Sequence, residues 1–162
     1  MNEEVAEKLP SVRLAELGIS LPSVPAPVAS YIPAILSAGQ VYTSGQLPSA
    51  DGQLAVGKLG AELGVQEGAA AARTAALNAL AACAEAVGGV DNLRRVVKAV
   101  VYVASAPGFT EQPKVANGAS ELLGQVFGPR GAHVRSAVGV AELPLGACVE
   151  VELVCEASAA SF

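Results

Sequence analysis

The strongest pattern along the chain is an apolar stripe with helical spacing over residues 65–87. Apolar residues recur there at steps of three and four, as on one face of a helix: Val65, Ala69, Ala72, Ala76, Leu80, Cys83 and Val87. Since most of them are alanine, we expect this helix to lie close against a sheet and to end at the following glycine pair. A shorter stripe predicts a second helix, with Thr110 as its N-cap and Gly128 at its end: Val115, Ala119, Leu122 and Val126.

Alternation of apolar and polar positions predicts the strands. Residues 40–46 are rich in β-forming residues, and a turn signal follows at residues 50–53. Residues 95–104 form a strand in which one row of side chains would face the helices: Val97, Ala99, Val101 and Val103. Residues 133–142 and 147–155 are expected to form an antiparallel hairpin around a turn at residues 143–146.

The alternation in this hairpin points to the candidate chemistry. If the valines of both strands share the apolar face, Arg135 shares the opposite, uncovered face with Glu150 and Glu152 and lies opposite or diagonal to Glu152. A guanidinium is a planar fork that matches a carboxylate. Arg135 would therefore hold a substrate carboxylate or form only a salt bridge with Glu152, and the alternation leaves both open. The small Ala137 leaves space beside Arg135, and His133 is interpreted as the exposed start of the strand.

The predicted elements follow the order β-β-α-β-α-β-β, which indicates an α+β fold with two helices on one face of a mixed sheet. Nothing in the sequence covers the second face, so we expect several subunits to pack these faces together in a closed ring. Residues 1–30 would form an N-terminal arm with a short helix at 11–17 and an extended, proline-rich stretch. Residues 31–156 would form the domain, and residues 157–162 a loose tail.

Composition and charge narrow the classes of function. The 162 residues suit one domain, and 52% of them are hydrophobic whereas only 15% are charged. The formal net charge of −5 argues against non-specific nucleic-acid binding, which needs a basic surface. There is no run of about 18 apolar residues that would predict a transmembrane helix, and the acidic start does not resemble a secretory signal. The three cysteines share no metal-ligand spacing and are expected to be reduced and buried in a cytoplasmic protein: Cys83, Cys148 and Cys155.

Two segments resemble one known family. Residues 42–48, with the sequence YTSGQLP, resemble the S-G-Q-hydrophobic-P strand of the YjgF/Rid family, the reactive intermediate deaminases, which are also labelled L-PSP endoribonucleases. Residues 133–144 and 149–152 resemble the C-terminal signature of that family, R-S-x-V-x-V-x-x-L-P followed by V-E-x-E. The likeness covers roughly residues 27–154 in the same order, and the arm is similar to that of a longer branch of the family.

The resemblance implies a chorismate-mutase-like fold and a homotrimer with three clefts between its subunits. In the family, the residue matching Arg135 binds the carboxylate of a 2-imino or enamino acid. The residue matching Glu150 positions the water that hydrolyses this substrate to a 2-keto acid and ammonia. Further substrate contacts are implied at Tyr31, Ser44, Gly45 and Ala137, the last standing where many members carry Cys. The resemblance implies no metal or organic cofactor, and from the net charge and the lack of a long apolar run we expect no nucleic-acid or membrane partner.

Three classes of function stay open at this point. The first is an imine or enamine deaminase, and the second is a non-catalytic trimer that binds small carboxylates. The third is an endoribonuclease, against which the acidic charge and the lack of a basic aromatic surface argue. Chorismate mutase activity would rest on fold analogy alone. We therefore predict a deaminase that acts on a small carboxylate substrate.

Overall fold

The computed structural model of the chain describes residues 7–26 and 30–159. Most of the acidic start of the arm, Pro27 and the last three residues of the expected tail lie outside these ranges. The described residues form three α-helices and seven strands: α1 Pro10–Glu16, α2 Val65–Ala86, α3 Gln112–Phe127, β1 Ala34–Ser37, β2 Gln40–Thr43, β3 Ser49–Ala50, β4 Gln53–Leu54, β5 Leu93–Ala104, β6 Val134–Val140 and β7 Val149–Ala157. α1 confirms the short helix predicted in the arm, and apart from the small β3–β4 hairpin the remaining elements follow the predicted order.

The two long helices lie where the apolar stripes predicted them. The stripe of α3 is fully buried, and α2 is buried around most of its circumference because its alanines let neighbouring elements approach closely. Gly118 shows how near the two helices come, since a Cβ there would lie 1.9 Å from the carbonyl oxygen of Ala69 on α2. The N-cap of α3 is Glu111 rather than Thr110, and its C-cap is the predicted Gly128, where φ is +58°.

The large sheet has the strand order β1-β2-β7-β5-β6, so β6 lies at an edge. β6 pairs with β5 in parallel, and β7 pairs with the other side of β5. The predicted hairpin between the last two strands is therefore wrong. The physical reason is that β5, α3 and β6 form a strand–helix–strand unit, in which a helix crosses one face and the chain returns parallel to the strand that it left.

This topology places Arg135 on the opposite face from the one expected. Arg135 is in register with Ala99, and Ala137 with Val101, so both side chains lie on the side of the sheet that the helices cover. The expectation that Arg135 shares the uncovered face with Glu150 and Glu152 is wrong, because that expectation depended on the hairpin. The predicted placement of Glu150 and Glu152 on the uncovered face is confirmed.

One further strand assignment needs correction. In β5 the register with β7 shifts between Val96 and Lys98. Such a bulge reverses the alternation, so Val96 is fully buried whereas Val97, expected in the core, is only half-buried. The assignments of Ala99, Val101 and Val103 to the core are confirmed.

The second face of the sheet is not covered by any helix of the described chain. It carries exposed large apolar side chains: Ile35, Tyr42, Val134 and Val138. The arm helix α1 instead packs beside α3, and Ser11 bonds to the carboxylate of Asp91 through both its N–H and its hydroxyl. At the other end of the chain, β7 includes Ala157, where the tail was expected to begin.

Two remaining expectations concern cysteine chemistry and membranes. Cys83, Cys148 and Cys155 are all buried free thiols, as expected. None of the helices in the described ranges is long and apolar enough to cross a bilayer.

Candidate functional site

A β-bulge between β2 and β7 builds the first part of the candidate site. Tyr42 pairs with Val154, whereas Gln46 bridges Val151. The segment after β2 therefore has one residue more than the stretch of β7 that it faces, which is the definition of a bulge. The bulge pushes the backbone at Gly45 against the uncovered face of β7.

Gly45 lies directly against the Glu150 side chain. A Cβ at Gly45 would lie 1.8 Å from Oε1 of Glu150, so only glycine fits while that carboxylate keeps its position. Among the described residues, none accepts the Gly45 N–H and none donates to the Glu150 carboxylate. The site therefore contains a free backbone donor beside a free carboxylate.

Burial and a like charge both change the acidity of Glu150. Partial burial raises the pKa of its carboxyl, and the neighbouring Glu152 raises the pKa further. Tyr102 faces both carboxylates and donates from its hydroxyl to Oε1 of Glu152 at 3.2 Å. Burial, followed by the charge of Glu152, raises the pKa of Tyr102 as well. Because Tyr102 bonds to Glu152, the Glu150 carboxylate is left for a ligand or a water molecule.

Ser44 attaches the segment that carries Tyr31 to this bulge. Its hydroxyl donates to the carbonyl oxygen of Ile32 at 2.7 Å, and its N–H donates to that of Pro33 at 2.8 Å. Tyr31 is 52% exposed, and it lines a cavity of about 490 Å³ together with Gly45. The arm at residues 22–26 and the hairpin at residues 49–52 form other walls of this cavity. The structure thus brings Tyr31, Ser44 and Gly45 together, and Glu150 lies against Gly45.

Arg135 lies in a second place, between β6 and α3. Its Nη1 donates to Oδ1 of Asn117 at 2.9 Å and to Oγ of Ser120 at 3.1 Å. No ion pair joins Arg135 to a carboxylate in the described part of the chain. The alternative in which Arg135 only forms a salt bridge with Glu152 of its own chain is therefore excluded. Ala137 follows on the same side of β6 and is half-buried against the core.

His133 is held beside Arg135 rather than exposed as the start of a strand. Its Nε2 is 3.0 Å from Oγ of Ser120, and its Nδ1 is 2.6 Å from the carbonyl oxygen of Gly131. These side chains line a cavity of about 440 Å³. Asn117 and Ser120 were not predicted as site residues. They are three residues apart on one face of a helix, and recognising the β5–α3–β6 unit would have placed that face over β6.

The chain therefore carries two separated groups of the predicted site residues. Tyr31, Ser44, Gly45 and Glu150 form the first group, and Arg135 with Ala137 forms the second on the helix-covered side of an edge strand. The single chain does not bring Arg135 next to Glu150. An edge strand is accessible to a neighbouring chain.

Comparison with known proteins identifies the family. A family model described as "YjgF/chorismate mutase-like, putative endoribonuclease" matches residues 11–157. The chain belongs to this YjgF/Rid family, as the two sequence segments predicted.

The matches with similar proteins cover nearly the whole chain. TCP17 of Trypanosoma cruzi is 49% identical over 154 residues, which are 94% of this chain and 96% of that protein. The crystal structure of Atu1372 from Agrobacterium tumefaciens, a protein of unknown function, has a TM-score of 0.85 and 42% identity and covers 92% of each chain. A Shewanella oneidensis structure has a TM-score of 0.88 and 35% identity, and the match covers 92% of this chain and 99% of that one. More distantly, Escherichia coli TdcF, solved with bound serine, has a TM-score of 0.57 and 25% identity over 83% of this chain and 94% of its own.

Proposed function

We propose that this protein hydrolyses 2-imino and enamino acids to 2-keto acids and ammonia, in clefts between the subunits of a homotrimer. In each cleft Arg135 of one subunit binds the substrate carboxylate, and Glu150 of the next subunit acts on the water. The observation that carries the proposal is the state of these two groups in one chain. Arg135 bonds only to neutral acceptors, and the half-buried Glu150 carboxylate has no donor among the described residues.

The surroundings of both groups support an assembly that completes the site. Arg135 lies on the edge strand β6, while Glu150 lies on the uncovered face whose apolar side chains Ile35, Val134 and Val138 are exposed. Burying such a face against other subunits is favourable, at about 25 cal/mol for each Å² of apolar surface removed from water. A closed ring of three copies covers all of these faces and repeats the cleft three times.

The reaction itself needs a carboxylate anchor and a group that exchanges protons with water. As water attacks C2 of the protonated imine, Glu150 accepts a proton from it and a carbinolamine forms. Glu150 returns this proton to the nitrogen, and the C–N bond breaks with its electron pair on nitrogen. As the keto group forms, Glu150 accepts the hydroxyl proton and passes it to the departing ammonia, so the products are the 2-keto acid and ammonium and Glu150 is again a carboxylate. The raised pKa of Glu150 suits this role, because it makes the carboxylate a stronger base.

A second candidate is binding of small carboxylates without turnover. It is favoured by TdcF, a relative solved with serine, which carries the same type of carboxylate as a 2-imino acid. Serine in that relative supports recognition of a small amino-acid-like ligand in either case. Ribonuclease activity is disfavoured by the net charge of −5.

Release of product from freshly generated imine separates these candidates. An amino-acid oxidase generates the imine in situ, and trace amounts of the protein should accelerate formation of 2-keto acid and ammonia over many turnovers. A non-catalytic binder should instead slow product release, and only when it is present in excess over the imine. If neither effect occurs, both candidates fail, and RNA cleavage that co-elutes with the purified protein would then support the nuclease.

A further inference from the structure

The neutral side chains that bond to Arg135 are those of Asn117 and Ser120. Their role rests on the proposed binding of the substrate carboxylate by Arg135. We propose that Asn117 and Ser120 are positioning residues that hold the guanidinium in place without neutralising it, and that His133 fixes the hydroxyl of Ser120. The charge of Arg135 is thereby kept for the carboxylate of the substrate.

Both contacts of Arg135 come from one face of α3. Asn117 and Ser120 are three residues apart, so their side chains lie next to each other on the helix. They meet the same nitrogen, Nη1, at 2.9 and 3.1 Å. The remaining N–H groups of the fork have no acceptor among the described residues. A carboxylate can therefore bind to them in the bidentate geometry that a guanidinium favours.

The donors and acceptors of this group can be arranged in only one consistent direction when His133 is neutral. The carbonyl oxygen of Gly131 can only accept, so Nδ1 of His133, 2.6 Å away, donates to it. Nε2 is then an acceptor, and the hydroxyl of Ser120 donates to it at 3.0 Å. The lone pairs of Ser120 are left to accept from Arg135. The chain of donors thus runs from Arg135 through Ser120 and His133 to the backbone.

The carbonyl of Gly131, at the end of this series of hydrogen bonds, is fixed by close packing. A Cβ at Gly131 would lie 2.3 Å from the carbonyl oxygen of Leu123 on α3, so the backbone of Gly131 rests directly on the helix. The same helix carries Asn117 and Ser120. One rigid element therefore positions both the acceptors of Arg135 and the carbonyl that orients His133.

Replacing Asn117 with Asp tests whether neutrality matters. Asn117→Asp keeps an acceptor at the same place but gives Arg135 an ion pair within its own chain. We expect the KM for a 2-imino acid to rise about tenfold, in line with the loss of part of a charge-assisted contact, with kcat changed less than about twofold and the melting temperature not lowered. If Asn117 had a purely structural role, the stronger bond to Arg135 would leave KM unchanged.

Gln125→Glu is the matched control. Gln125 lies on the same helix and accepts a hydrogen bond from Arg73 at 3.0 Å, so its substitution adds the same charge beside a different arginine. We expect its KM to equal that of the wild type. A similar rise in KM in both variants, or an Asn117→Asp protein with the wild-type KM, would overturn the proposal.

The hydroxyl of Ser120 provides a second test of the positioning role. Ser120→Ala removes the hydroxyl and should raise KM several-fold, whereas Ser120→Thr keeps it and should restore the wild-type KM. If the wild type shows no turnover, the deaminase proposal fails, and the same variants are compared by the calorimetric affinity for pyruvate. Equal pyruvate affinity in wild type and Asn117→Asp would then refute the positioning role, and so would a wild type that does not bind pyruvate.

Discussion

A single methyl group at Gly45 should displace the Glu150 carboxylate. In Gly45→Ala the new Cβ would lie 1.8 Å from Oε1 of Glu150. Non-bonded heavy atoms settle at about 3.5 Å, so the carboxylate must retreat by roughly 1.7 Å. The backbone at Gly45 is not in the left-handed region, so alanine adds no backbone strain there. The side chain of Glu150 lies on the uncovered face of the sheet, so in the proposed trimer the carboxylate would move within the cleft between the subunits.

The expected result is a stable but poorly active protein. A displacement of about 1 Å at a reacting group can lower the rate on the order of 100-fold, and we expect at least that loss in kcat for Gly45→Ala. The change in stability should stay below about 1 kcal/mol, which corresponds to about 2–4 °C in melting temperature for a chain of this size. Steady-state imine hydrolysis and thermal melts on the same preparation measure both quantities.

The control is the double variant Gly45→Ala/Glu150→Ala. If the methyl acts by displacing Glu150, then Gly45→Ala should cost no further activity once Glu150 has been truncated. A folded Gly45→Ala protein with wild-type kcat would refute the reasoning, because it would show that the position of Glu150 does not matter to the reaction.

Three further predictions concern other parts of the molecule. Arg135→Ala should lower kcat/KM by roughly 30- to 150-fold, the effect of losing a charge-assisted contact worth about 2–3 kcal/mol. The melting temperature should stay nearly unchanged, since Arg135 forms no ion pair with residues 7–26 or 30–159. A large loss of stability would argue for a structural role. The raised pKa of Glu150 means that its native carboxyl holds a proton more strongly than in the unfolded chain, so native stability falls as pH rises through its titration range. Glu150→Gln, which also removes the repulsion from Glu152, should therefore melt higher than wild type at neutral pH, with the gain vanishing in acid melts. Gly118→Ala should lower the free energy of unfolding, measured with denaturant, by at least about 3 kcal/mol because its Cβ would clash with the backbone of α2. At Gly124 on the same helix a Cβ meets nothing within 4 Å, so Gly124→Ala should raise the free energy of unfolding by about 0.5–1 kcal/mol.

The parts of the fold that the sequence predicted correctly are its local features. Helical spacing located α2 and α3, and alternation correctly placed Glu150 and Glu152 on the uncovered face. Both are properties of consecutive residues, which a single sequence displays. The YTSGQLP segment also marked Gly45, although the reason that glycine is needed there is visible only in the contact with Glu150.

The wrong predictions concern which strands and helices become neighbours. Alternation divides a strand into two rows of side chains, but it does not say which strand lies beside it. Pairing β6 with β7 instead of β5 moved Arg135 to the wrong face, and its real partners, Asn117 and Ser120, were consequently missed. The bulge next to Val96 is likewise set by the register with β7 rather than by the local sequence.

The central claim is that Arg135 of one subunit and Glu150 of another form a single site, and subunit mixing tests it most directly. Arg135→Ala and Glu150→Gln proteins, each almost inactive, are unfolded together in equal amounts and refolded. Random assembly into trimers makes three quarters of them mixed, each with one intact cleft out of three, so about a quarter of the wild-type activity should return. If the mixture is no more active than its two components while mixed oligomers are demonstrably present, Arg135 and Glu150 do not share a cleft between subunits.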